Sequence, residues 1–197
     1  MQLMVLWAAA VACTMPMAAD AAVVIDIGQN GPDVVATLSG SLSGVGLFGA
    51  GNAPASSAIA SSFGYIGFGG TKNQIYHGFN GPANWGSGGI FFPSSTTGNA
   101  FAFEASDSNG PFIIVSSSFG FGSALSASST FSNQTLTSLG LNTGSYVYTS
   151  SGDSITVNVG NTGGVPEPAN WALMVIGFAL TSVALRGRVR ATRSTVG

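Results

Sequence analysis

Cysteine is nearly absent: the chain has one, Cys13, and it falls in an N-terminal apolar stretch. The rest of the chain therefore has no disulfide, no reactive thiol and no thiolate metal site, and its stability must come from its core. Bases are almost as scarce. Residues 23–164 hold five acids (Asp26, Asp33, Glu104, Asp107, Asp153) and one base, Lys72, a net charge of −4. That balance argues against a nucleic-acid partner, because phosphate binding needs clustered Lys or Arg. Histidine occurs once, at His77, so no His-rich metal site forms and a Ser-His-Asp triad would depend on that residue alone. No serine stands in a GxSxG elbow.

What is present divides the chain into unlike parts. Residues 1–21 read as a signal peptide, with an apolar core from Leu3 to Ala12, a break at Pro16, and small residues Ala19 and Ala21 at −3 and −1 of a cleavage site after Ala21. No Lys or Arg precedes the core, and the run is too short to span a bilayer. Cys13, after Ala10-Val11-Ala12, could instead take a lipid, although the apolar stretch before it is short for that role.

A second apolar run, Trp171 to Leu185, has no charge. Starting at Ala169, it covers about 25 Å as a helix against a hydrocarbon core of about 30 Å, a marginal span. Its flanks reinforce it: Trp171 at one end favours the interface, and Arg186, Arg188, Arg190 and Arg193 at the other resist export. The expected orientation puts these arginines in the cytoplasm and the body outside. Ahead of the helix, Pro166 and Pro168 hold Val165 and Glu167 out of the helical region, so the segment stands extended where a protease can grip it.

This order of Pro166-Glu167-Pro168, apolar helix and basic tail resembles the PEP-CTERM sorting domain. VPEPANWALMVIGF (165–178) is similar to its PEPxxWA subtype, with Trp171 and Ala172 at the matching distance. The resemblance implies export, transient residence in the inner membrane, processing by an exosortase-type enzyme, and delivery to the surface of a Gram-negative bacterium that makes exopolysaccharide. SNQTLTSLGLNTGSYVYTSSGDSITVNVG (132–160) also looks like the closing segment of proteins with such tails, and it implies no known activity.

The body holds 26 glycines and 25 serines among residues 23–164, a composition that alone suggests disorder, but also 17 aromatic residues, many in β-prone runs. Val23 to Ile27 and Val34 to Ser39 flank a turn-rich link, Ala100 to Glu104 alternates around Phe101 and Phe103, and Phe112 to Ser117 follows Asn109-Gly110-Pro111. Ser145 to Thr149 and Ser154 to Val159 read as a hairpin. One short helix is expected over Asn133 to Leu139, capped by Ser132.

Candidate chemistry is thin. Gly44-Val45-Gly46-Leu47-Phe48-Gly49 fits GxGxxG, but Gly51 and Pro54 oppose a following helix and no acid stands between Asp33 and Glu104 to hold a ribose. Glu104 and Asp107, the only closely spaced acids, could form a glycosidase pair but fit a turn better. Trp85, in a loop of Gly, Pro and Asn, could stack on a sugar ring if exposed, or else cover the edge of the domain.

The expected fold is all-β: a Gly/Ser-rich antiparallel β-sandwich over residues 22–160, with the signal peptide before it, a linker with the PEP motif (161–168), a single transmembrane helix (169–185) and a basic cytoplasmic tail (186–197). The expected function is that of a non-catalytic surface or matrix protein, associated with exopolysaccharide, with no catalytic residue, metal site or cofactor assigned. The alternative is a secreted hydrolase of matrix polysaccharide.

Overall fold

The computed structural model describes residues 21–70 and 73–160. The segment expected as a signal peptide, through Asp20 and with Ala19, the segment expected as a linker, the apolar run and the arginine-containing tail lie outside the described residues. So do Pro166, Glu167, Pro168, Trp171, Ala172 and the four arginines. Among the described residues no helix is long and apolar enough to cross a membrane.

Alternating apolar residues build the first strands. Strands β1 (Ala21–Asn30) and β2 (Asp33–Ser41) form a hairpin whose connection is Gly31-Pro32, with Asn30 opposite Asp33 and Gly31 at φ +59°. Glycine at the first of two loop positions suits a hairpin turn, and Pro32 has no N–H to leave unpaired there. Ala21, the residue expected at the cleavage boundary, opens β1 opposite Asp153.

The chain continues through β3 (Phe48–Asn52), β4 (Ala58–Ala60), a 3₁₀ turn (Ser61–Phe63), β5 (Tyr65–Gly67) and β6 (Asn73–His77). Then come β7 (Ile90–Phe91), β8 (Ser95–Gly98), β9 (Phe101–Glu104), β10 (Phe112–Ser116), β11 (Ala124–Phe131), β12 (Gly144–Thr149) and β13 (Asp153–Val159). They form a six-stranded sheet ordered β12-β13-β1-β2-β11-β8 and a seven-stranded sheet ordered β3-β6-β10-β9-β5-β4-β7.

The two sheets share one core. Val23, Ile25, Ile27, Leu38, Ile155 and Val157 of the first belong to the same buried cluster as Ile59, Ile66, Phe101, Phe103, Ile113 and Val115 of the second. Period-two burial on both sheets is how a two-layer β fold removes apolar surface from water. At about 1.5–3 kcal/mol per fully buried large side chain, such a core supports a domain without disulfides.

One pairing departs from the antiparallel arrangement expected. Strands β1 and β13 run parallel, with Val23 opposite Ile155, Ile25 opposite Val157 and Ile27 opposite Val159, all buried. A slip of one residue would turn these side chains to the other face, so the apolar pattern fixes the register. The parallel pair also sets Ala21 and Val159 at opposite ends of its ladder, about 20 Å apart at the rise of a strand.

The short helix expected over Asn133–Leu139 is instead a single capped turn. Asn133 lies at φ +55°, outside the right-handed region, so the turn starts two residues later. Thr135 and Ser138 cap it reciprocally: the Ser138 N–H donates to Thr135 Oγ1 (3.0 Å) and the Thr135 N–H to Ser138 Oγ (2.8 Å). Gly140 closes it at φ +62°, with the Leu141 N–H on Leu136 O and the Gly140 N–H on Thr137 O, both 2.9 Å. This is a Schellman closure, and no residues remain for a second turn.

Candidate functional site

The seven-stranded sheet is apolar on both faces. Along β9, Phe101 and Phe103 join the shared core while Ala102 joins a second cluster with Ala55, Phe112 and Ile114 on the outer face. Cross-strand pairing carries one outer row across the whole sheet, from Phe48 through His77, Phe112, Glu104, Tyr65 and Ala60 to Ile90. The adjacent row runs through Ile75, Ile114, Ala102, Gly67 and Ala58. Ala58, at its far end, borders a hollow together with Ala60 of the first row.

That hollow is a cleft of about 490 Å³, with Ala58, Ala60, Phe112 and Ile114 among its lining and Phe63, Ile90 and Phe92 at its margin. Phe92 is 73% exposed and Ile90 61%. Large apolar side chains left in water beside a concave surface are a mark of a binding site, where isolated ones would not be.

Glu104 supplies the charge in the cleft. Burial raises its carboxyl above the ordinary range, and the charge of Asp107 adds to the rise. Tyr65, directly opposite, donates its hydroxyl to Ser56 O at 2.8 Å. Burial pushes its phenol up to about 12, against the lowering effect of that hydrogen bond and with a smaller push from Glu104. Asp107 itself is turned onto its own loop, where Oδ1 accepts from the Asn109 N–H at 2.8 Å. The pair noted in the sequence is thus divided: Glu104 faces the cleft and Asp107 closes the turn beyond it.

Of the two readings of Trp85, a sugar contact if exposed and a cover for the domain edge, burial removes the first. Its residue exposure is 0%, with the indole against Phe103 (6.2 Å) and Tyr146 (6.4 Å), so it has no free face for a ring to stack on. The loop is held at both sides. The Trp85 N–H donates to Ser61 O (3.2 Å), the Asn142 N–H to Trp85 O (2.9 Å), and Ser61 Oγ accepts from the Gly88 N–H (2.7 Å). A Cβ on Gly86 would strike the Gly140 carbonyl oxygen, so glycine is what lets the loop lie this close. His77, the single histidine, ends β6 and is buried, with Phe48 at 5.7 Å and Phe112 at 5.2 Å.

The GxGxxG stretch has a structural use that sequence reasoning missed, through Asp153. This carboxylate, 3% exposed, accepts from the Ser43 N–H (2.6 Å) and the Gly44 N–H (2.9 Å). The loop leading from β2 to β3 is thereby fastened to the start of β13. Backbone N–H groups that would cradle a phosphate in a dinucleotide site here hold the chain's own anion.

No family model, curated protein or solved structure matches the chain.

Proposed function

We propose that the chain is an exported surface or extracellular-matrix protein, sorted through a PEP-CTERM-type tail, whose domain works by binding and associates with exopolysaccharide in a biofilm. The observation that carries this reading is the succession of Pro166-Glu167-Pro168, Trp171-Ala172, an uncharged run to Leu185, and Arg186, Arg188, Arg190 and Arg193. A β domain without cysteine, preceded by a signal-type segment, agrees with export. An open apolar cleft rimmed by exposed side chains agrees with adhesion. The partners are an exosortase-type enzyme, the inner membrane in transit, and the matrix polymer.

Topology tests the membrane step. A phosphatase reporter that works only in the periplasm, fused after Arg193, is expected to be silent. Replacing the four arginines by Ser is expected to activate it, because the barrier to export of the tail is gone. Activity in the fusion to the unaltered chain would contradict the orientation.

A second reading, a secreted hydrolase of matrix polysaccharide, draws on one feature: a carboxyl with a raised pKa in a cleft, with Asp107 close enough to act on it. General acid catalysis uses such a group. Release of reducing ends from purified matrix polysaccharide, lost in Glu104→Gln, would favour this reading over binding.

A further inference from the structure

We infer that the cleft on the outer face of the seven-stranded sheet takes a protonated organic amine carried on an apolar body, with Glu104 as its counter-charge and the rings of Tyr65 and Phe112 beside it. The inference rests on reading the domain as a binding module and concerns this cleft alone, the exopolysaccharide being met by the rest of the domain's surface.

Position comes first. Glu104 stands directly between Phe112 and Tyr65 in one cross-strand row. Direct neighbours on one face have Cβ atoms about 4.5–5.5 Å apart. A cation drawn to the carboxylate therefore meets aromatic carbon on both sides, where ring faces add their own attraction.

The polar capacity of the cleft is the second observation. Tyr65 has already given its hydroxyl proton to Ser56 O. The other polar side chains in the lining are Ser56 and Glu104, and the remainder is Ala, Pro, Ile and Phe. Among the described lining residues an anion finds no counter-charge. A neutral sugar lowered into the cleft would bury several hydroxyls with few partners, at a cost for each. An ammonium group on an apolar body needs what is present: one strong acceptor and apolar walls.

Charge balance is the third. Residues 23–164 hold five carboxylates (Asp26, Asp33, Glu104, Asp107, Asp153) against one base, Lys72, a net charge of −4. The field over the domain therefore favours cations. Glu104 is desolvated by its surroundings, and an incoming ammonium relieves that penalty where a neutral ligand does not.

The test uses the full-length protein in nonionic detergent, titrated at pH 7 by calorimetry with phenethylammonium, its neutral match phenethyl alcohol, and phenylacetate. The ammonium is expected to bind about tenfold more tightly than the alcohol, a difference of about 1.4 kcal/mol. Phenylacetate is expected not to bind. Glu104→Gln should bring the ammonium down to the level of the alcohol and leave the alcohol unchanged, which also shows that the cleft is still formed. Phe92→Ala, at an exposed site, should weaken both several-fold.

Because burial raises the Glu104 carboxyl, it takes up its proton at a higher pH than an exposed glutamate does. The preference for ammonium is present above that pKa and should fade as pH falls through it, sooner than the ordinary carboxylate value implies. Equal binding of ammonium and alcohol by the unaltered protein, or an ammonium preference that survives Glu104→Gln, overturns the inference, and so does failure of both to bind. A protein that is correctly processed and surface-bound while its cleft ignores charge would overturn this inference alone and leave the sorting reading standing.

Discussion

Trp85→Ala should destabilise the domain by about 3–5 kcal/mol, the usual range when a large aromatic is removed from a core. The indole is the largest wholly buried side chain, it touches Phe103 and Tyr146, and its loop is tied to both Ser61 and Asn142. These ties hold the backbone in place, so the space left by the ring cannot readily collapse. Trp85→Phe should cost less, since most of the apolar contact is kept and a buried N–H with no acceptor among the described residues is removed. Urea unfolding followed by circular dichroism measures both. A loss under about 1 kcal/mol for Trp85→Ala would mean that the indole is exposed, and would bring back the sugar contact that its loop suggests.

Glu167→Ala should leave export and membrane insertion intact while unprocessed protein accumulates in the inner membrane. Two prolines and an acid are a poor start for a marginal membrane helix, since they shorten it and set a charge beside the interface. A plain anchor would do better without them, and on the proposed reading recognition is what gives them a role. Replacing Pro166 and Pro168 by Ala should have the same outcome by letting the helix extend into the motif and hide it. Immunoblots of separated inner-membrane and surface fractions, in a host with its own exosortase, read the result. Ordinary surface delivery of both variants would falsify the sorting role given to these residues.

The strands legible in the sequence are those that advertise their inner face. Ile155-Val157-Val159 alternate with Thr156 and Asn158, and Ile25 and Ile27 flank Asp26, and both runs fall in strands at the expected places. Strand β11 alternates as strictly, with Leu125, Ala127, Ser129 and Phe131 inward, but alanine and serine carry little hydropathy. Ser129 is buried because Thr96 Oγ1 meets its hydroxyl at 2.9 Å, a partner no local window contains. The parallel pairing of β1 with β13 joins residues over a hundred positions apart and leaves no local mark.

The candidate site was legible only as a single acid. Glu104 drew notice because Asp107 is near it in sequence, whereas the neighbours that shape its surroundings, Tyr65 and Phe112, come from other strands. The small residues that line the hollow, Ala53, Ala58 and Ala60, have a lack of bulk that is invisible until the sheet is assembled. Trp85 shows what its sequence neighbours leave open. Gly, Pro and Asn around it marked a loop correctly, but loop composition does not report burial, and Gly86 and Gly88 are there so that the backbone can press against the carbonyls of Gly140 and Leu139. Asp153 lies just before the second arm of the expected hairpin, and nothing near it in sequence announces that its carboxylate is held by Ser43 and Gly44.

The central claim, an exported binding domain released from the membrane through its tail, is tested most directly by the intact mass of the protein recovered from the cell surface of a host with its own exosortase. The account predicts a chain that begins near Ala22 and ends at or near Pro166-Glu167-Pro168, without Arg186, Arg188, Arg190 and Arg193. A surface protein that still carries those arginines, or a full-length chain confined to the inner membrane, would contradict it.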